Sequence, residues 1–125
     1  MKFLVLDDVM TNCVVLRQLA GKVFEAETVI ATNPLDALAR CHREQFDALI
    51  VDYFMPAMNG IEFTRCIRRL EGYRDIPIVM VTTADERRVH AAALQAGVTD
   101  FVNKPVCLVD FRERFGECLA GAQAA

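Results

Sequence analysis

The chain has 125 residues, the size of a single hydrophobic core, which excludes a two-domain enzyme. Its 17 acidic and 14 basic residues leave a net charge of −3, so a basic surface for nucleic acid is not expected. At 54% apolar and 25% charged it is too apolar for a disordered chain and too evenly mixed for a membrane protein, which leaves a compact soluble domain.

Short apolar runs at Lys2–Leu6, Glu27–Ala31, Ala48–Val51, Ile78–Val81 and Phe101–Val102 predict five strands, most of them covered on both faces. Between them, apolar residues three and four apart predict helices. The stripes are Cys13, Leu16, Leu19 or Ala20 and Val23; then Leu35, Leu38, Ala39 and Cys41 or His42; then Ile61, Thr64 or Arg65, Ile67 and Leu70. Val89, Ala92 or Ala93 and Ala96 form the fourth, and Val109, Arg112 or Glu113, Phe115 and Leu119 a weaker fifth. Asn33-Pro34 places a cap ahead of a proline whose missing N–H costs nothing at the first helical position, and Asn59-Gly60 breaks the chain before the third helix. Asp85 and Asp110 are expected to cap the fourth and fifth helices, and Gly21 and Gly97 to end the first and fourth in left-handed turns.

Strand followed by helix, five times over, calls for a parallel sheet with helices on both faces: a doubly wound α/β domain. Residues 1–120 are read as the domain and 121–125 as a tail or the start of a linker. The apolar start is too short for a secretory segment, and no run approaches the roughly 18 residues that span a bilayer, so a cytoplasmic protein is expected. Cys13, Cys41, Cys66, Cys107 and Cys118 lack metal or disulfide spacing and are read as reduced.

In such a sheet, ligands bind at the carboxyl ends of the strands. There the sequence sets Asp7 and Asp8 after the first strand, Asp52 after the third, Thr82 and Thr83 after the fourth, and Lys104-Pro105 after the fifth. Asp and Thr often cap helices, so each position alone has a structural explanation. Together, three carboxylates about 4 to 6 Å apart would repel by a few kcal/mol, a cost without folding benefit unless a cation is bound. Oxygen donors without His or Cys favour a hard ion, Mg²⁺ above Ca²⁺ when few ligands leave room for water. One of the chain's three lysines faces that metal with a threonine, a pairing suited to a phosphoryl group.

Asp7-Asp8, Asp52 within Asp52-Tyr53-Phe54-Met55-Pro56-Ala57-Met58-Asn59-Gly60, Thr82, and Gly97-Val98-Thr99-Asp100-Phe101-Val102-Asn103-Lys104-Pro105 together resemble the receiver domain of two-component response regulators over roughly residues 2 to 120. The resemblance implies a flavodoxin-like (βα)5 sheet with strand order 2-1-3-4-5. It also implies that Asp52 accepts a phosphoryl group from a phosphohistidine on a sensor histidine kinase or phosphotransfer protein. Asp8 would bind Mg²⁺ directly, Asp7 mostly through water, and the backbone carbonyl of Phe54 would supply another ligand. Lys104 would pair with Asp52 and then with the phosphoryl group, aimed by a cis peptide to Pro105, and Thr82 would donate its hydroxyl. Thr82 and Phe101 would then switch the face formed by the fourth helix, fifth strand and fifth helix. The catalysis would extend only to the domain's own phosphorylation and dephosphorylation. Partners would be the phosphodonor, a downstream protein or output domain, and a phosphorylation-dependent second copy, without direct contact to nucleic acid or membrane.

Phe101 stands where some relatives carry Tyr, so no phenolic hydrogen bond is available, and a plain core aromatic is its alternative reading. Phe54 and Ala84 occupy positions where many relatives carry polar groups that orient a hydrolytic water, which predicts slow loss of phosphate. His42 and His90 read as surface histidines, Arg68-Arg69 and Arg87-Arg88 as solvated helix faces, Arg87-Arg88 also lying on the expected signalling surface, and Met55 and Met58 as packing near the site.

A flavodoxin-type FMN domain would need a Gly, Ser and Thr loop where Asp7-Asp8 stands. A haloacid-dehalogenase-like phosphatase needs an Asp two residues beyond its nucleophile, where Val9 and Phe54 are found. A pseudo-receiver would lack the acid cluster or the lysine. The output is open between a single-domain regulator and a piece of a longer protein. The wording of Ile50–Pro56 and Val79–Thr83 is similar to receivers joined to cyclic-di-GMP phosphodiesterase domains.

Overall fold

The computed structural model describes residues 1–124. Five strands, β1 (Lys2–Leu6), β2 (Glu27–Ala31), β3 (Ala48–Asp52), β4 (Ile78–Thr82) and β5 (Asp100–Asn103), alternate with α1 (Met10–Phe24), α2 (Pro34–Arg43), α3 (Gly60–Ile67), α4 (His90–Ala96) and α5 (Leu108–Ala124). All strand pairs are parallel, in the order β2-β1-β3-β4-β5. This is the doubly wound (βα)5 arrangement expected from the sequence, with the implied strand order 2-1-3-4-5.

The pleat sends alternate residues to opposite faces, and each face is covered by helices. Phe3, Val5, Ile50, Val79, Val81 and Val102 meet Leu16 and Ala20 of α1 and Phe111 and Phe115 of α5. Phe3 stacks on Phe115 with ring centroids 5.0 Å apart. On the other face Leu4, Leu6, Leu49, Val51 and Ile78 meet Ala37 and Cys41 of α2 and Phe63 and Ile67 of α3. A smaller cluster joins Met80, Ile61, Ala93, Val98 and Phe101 under α4. Every residue of β3 and β4 is buried, which is why those strands read as unbroken apolar runs.

Several expected boundaries shift, each for a local reason. Asn33 caps α2 through the Asp36 N–H, and Asn59 caps α3 in a reciprocal box with Glu62. Gly97 ends α4 with φ 114°. Gly21, however, lies inside α1, which runs three residues further and ends at Glu25 with φ 54°. The fourth helical stretch starts at a 3₁₀ turn, Ala84–Val89, before α4. Thr83 precedes it, with its N–H donating to Glu86 Oε1 at 2.8 Å, so Asp85 is not the cap. Asp110 lies within the first turn of α5, where it accepts from Arg114. Leu35 and Val109, placed on buried stripes by their spacing, are exposed; Ala37 with Cys41, and Phe111 with Phe115, make the contacts. The stretch expected to leave the domain after residue 120 continues α5 through Ala124, and Ala125 lies outside the described residues.

Arg68 is the largest departure, because it is not solvated. Its guanidinium donates to the carbonyls of Tyr73 (2.8 Å), Ile76 (2.7 Å) and Gly97 (2.6 and 3.0 Å). It thereby fastens the end of α3 to the end of α4 and to the chain entering β4. Arg68→Ala removes all donors from three carbonyls, and urea unfolding should show a loss of about 2 to 4 kcal/mol. A loss below about 0.5 kcal/mol, the scale of a solvated arginine, would show that these bonds are not holding the helix ends.

Candidate functional site

The strand order decides which side chains meet. β1 and β3 are neighbours, as are β3 and β4 and β4 and β5, so the residues at their carboxyl ends share one edge. Asp7 follows β1, Asp52 closes β3, Thr82 closes β4 and Lys104 follows β5. Asp7, Asp52 and Thr82 are buried, while Asp8 is exposed. Carboxylate oxygens of Asp7, Asp8 and Asp52 all lie within 4.8 Å of one another.

Each member is held by its local chain. Asp7 Oδ1 accepts the Val9 N–H at 2.9 Å, and its own N–H donates to Ala31 at 3.2 Å, anchoring it to β2. The Gly60 N–H donates to the Tyr53 carbonyl at 2.8 Å, closing the loop after Asp52. A Cβ at Gly60 would stand 2.6 Å from the Asp52 carbonyl oxygen, so only glycine fits against the strand end. In that loop Ala57 has φ 70°, a left-handed conformation uncommon for alanine. The Lys104 N–H donates to the Thr82 carbonyl at 2.8 Å, and the Lys104-Pro105 bond is cis. Lys104 Nζ reaches Asp52 Oδ1 at 2.7 Å.

The electrostatics follow from burial. Burial pushes the Asp52 carboxyl up to about 6; Lys104 pulls against this, and Asp7 and Asp8 add to it. Burial works against the Lys104 charge too, yet its contact with Asp52 and the field of Asp7 prevail and hold the ammonium above its ordinary value. Asp7 Oδ2 is buried with no hydrogen bond, and Asp52 Oδ1, though close to Lys104, has none of good alignment. Oxygen-only donors with unsatisfied buried atoms fit a small hard cation of the Mg²⁺ type. Three carboxylates, an ammonium and a hydroxyl meet at one sheet edge, the kinds of group that phosphoryl transfer uses.

Sequence reasoning brought Asp7, Asp8, Asp52, Thr82 and Lys104 together at this edge. Phe54 projects outward, 70% exposed, with Met55 buried beneath the loop and Met58 packed against the core. Phe101 is buried on β5 within the α4 cluster, 9% exposed, the position of a core aromatic. His90 is the residue that sequence reasoning missed. Its Nε2 is 3.1 Å from Thr82 Oγ1, and its ring stacks on Phe101 with centroids 3.7 Å apart and planes 6° from parallel. Thr83-x-x-Glu86 is a capping pattern that starts the helical stretch at residue 84, and it was the available signal that position 90 returns to the strand end.

A doubly wound domain with an acidic, lysine-bearing sheet edge defines a phosphoryl-signalling class, and the comparisons specify it. The chain belongs to the response regulator receiver domains, whose family model matches residues 3–115. It is 38% identical over 120 residues to the cyclic di-GMP phosphodiesterase response regulator RpfG of Xanthomonas campestris pv. campestris, covering 95% of this chain and 32% of that protein. It thus spans about a third of that relative's length. It is 33% identical over 114 residues to the chemotaxis protein CheY of Pseudomonas aeruginosa, covering 91% of this chain and 92% of CheY. The crystal structure of Vibrio cholerae CheY4 superposes with a TM-score of 0.87 at 26% identity, over 94% of this chain and 97% of that one. The receiver domain of the sensor histidine kinase PA1611 from Pseudomonas aeruginosa, solved with magnesium in its active-site cleft, shares the fold at a TM-score of 0.84 and 23% identity, over 95% of this chain and 97% of that one. The chain is therefore a two-component signalling module. Among the described residues no helix is long and apolar enough to cross a membrane.

The elevated Asp52 pKa has a measurable consequence without metal. The folded value, about 6, lies above the ordinary 3.8, so folding takes up a proton between those values and stability falls as pH rises through that window. In chelator at pH 7, Asp52→Asn should therefore be more stable than the parent by about 1 to 3 kcal/mol, the gap closing below about pH 4. Urea titrations across pH check this, and an Asn variant less stable at pH 7 would contradict it.

Proposed function

We propose that Asp52 is the phosphoacceptor of a phosphorelay switch. The observation that carries this reading is the Asp52–Lys104 ion pair of 2.7 Å set among the carboxylates of Asp7 and Asp8. The Asp52 carboxylate attacks the phosphorus of a phosphohistidine, the P–N bond breaks, and the phosphoryl group is carried as an acyl phosphate. Asp7, Asp8, Asp52 and the backbone carbonyl of Phe54 would hold Mg²⁺, which when bound neutralises charge gathering between carboxylate and phosphoryl oxygens. Lys104 pairs with Asp52 before transfer and with a phosphoryl oxygen afterwards. Thr82 donates a hydrogen bond from its hydroxyl to another, and Phe101 carries the change to the face of α4, β5 and α5.

In this reading the domain, placed at residues 1–120 from the sequence, takes in the rest of α5 to Ala124 and catalyses only its own phosphorylation and dephosphorylation. Its donor is a sensor histidine kinase or a phosphotransfer protein, and its target a partner protein or an attached output domain. The likeness to RpfG, of which this chain spans 32%, supports a cyclic-di-GMP phosphodiesterase output as the form of the second case. A cytoplasmic location belongs to the same reading, and the free cysteines suit a reducing compartment.

Incubation with Mg²⁺ and acetyl phosphate should add one phosphoryl group by intact mass, and none in Asp52→Asn. Labelling that survives in Asp52→Asn would move the acceptor elsewhere.

The exposed Phe54 and the methyl of Ala84 offer no polar group to a hydrolytic water. Phosphate on Asp52 should accordingly be long-lived, and Phe54→Asn should shorten its half-life several-fold in a mass-resolved time course. A variant that holds phosphate longer than the parent would refute the role given to Phe54.

A further inference from the structure

Thr82 is fully buried, and its hydroxyl has one hydrogen-bond partner among the described residues, His90 Nε2 at 3.1 Å. A hydroxyl has a single proton to donate, and a neutral imidazole accepts through one ring nitrogen only. The proposed role of Thr82 assigns that same proton to a phosphoryl oxygen. With Nε2 as the acceptor, that one proton would have to serve either His90 or a phosphoryl oxygen.

We propose that His90 is the positioning residue that holds the Thr82 hydroxyl in the resting protein and, released when that hydroxyl donates its hydrogen bond to a phosphoryl oxygen instead, passes the change to Phe101. This rests on the reading of Asp52 as phosphoacceptor. The parallel stack of 3.7 Å means that the imidazole cannot tilt away from Thr82 without displacing the Phe101 ring. A cleft of about 120 Å³ lined by Arg87, His90, Phe101, Asn103 and Arg114 adjoins the pair and gives it space to move into. Burial and Arg87 lower the His90 pKa while Asp100 and Glu86 raise it; the net direction is down, which keeps the ring neutral and able to accept. His90 therefore does in this chain what a phenol cannot do at Phe101: it provides a polar contact that differs between the two states.

The experiment uses nitrogen-15-labelled protein with Mg²⁺ and beryllofluoride, a phosphoryl mimic that reports occupancy of Asp52 independently. In the resting protein the His90 Nε2 signal should be that of a hydrogen-bonded acceptor. Saturation should move it to the free-acceptor position together with the Phe101 ring protons. Thr82→Val should give the same His90 signal without ligand. His90→Phe, which keeps the stack and removes the acceptor, should bind beryllofluoride roughly two- to ten-fold tighter, the worth of one hydrogen bond. His90→Gln, which restores an acceptor, should return affinity toward the parent. A His90 signal unmoved at saturation, a ring protonated on Nε2 at rest, or His90→Phe binding no tighter than the parent would overturn the link while leaving Asp52 as acceptor. Failure of beryllofluoride to bind the parent at all would instead remove the reading of Asp52, and the link with it.

Discussion

Everything at the sheet edge follows from the mutual repulsion of Asp7, Asp8 and Asp52. Oxygens held within 4.8 Å of each other repel by roughly 3 kcal/mol per charged pair at an effective dielectric of 20, less where Asp8 meets solvent. Lys104 offsets part of the repulsion; burial first, and then the fields of Asp7 and Asp8, hold the Asp52 pKa up, and Asp7 Oδ2 is left unsatisfied. A site that is poorly satisfied alone is one that a dication and then a phosphoryl group can complete, and this is how a small domain can be made to respond to a ligand.

The remainder of the fold packs tightly under that edge and fastens one flank at its two ends. β3 and β4 are wholly buried, and Gly60 brings the chain against the Asp52 carbonyl at a distance no side chain would allow. On the flank, a 3₁₀ turn and the seven residues of α4 are fastened at the far end by Arg68 through the Gly97 carbonyl. At the near end they meet the site through His90 and Thr82. Such a short segment, pinned at one end and hydrogen-bonded to Thr82 at the other, is suited to two discrete arrangements.

The sheet and its edge were legible because they depend on composition along short runs. Continuous Val, Ile and Leu report a strand covered on both faces, and the residue after each such run is at the ligand-binding edge whatever the helices do. The class of site was legible for the same reason, since charge and donor type are carried by Asp7, Asp8, Asp52 and Lys104 themselves. Helix detail was less so: Leu35 and Val109 satisfy an apolar spacing that the neighbouring Ala37 and Phe111 satisfy better, and only packing chooses between registers. Arg68 and His90 were misjudged because a charged or polar residue on a helix reads as solvated unless its partners are known, and those partners are carbonyls and a hydroxyl on other elements. Long-range hydrogen bonds leave no periodic trace.

As proposed here, the three carboxylates form an incomplete site for one divalent cation. Calorimetric titration of Mg²⁺ into the parent, Asp7→Asn and Asp52→Asn proteins at pH 7.5, where Asp52 with a pKa of about 6 is ionised, tests it most directly. One ion should bind the parent, with affinity lowered on loss of either carboxylate. Absence of binding in the parent, or affinity unchanged in both variants, would contradict it.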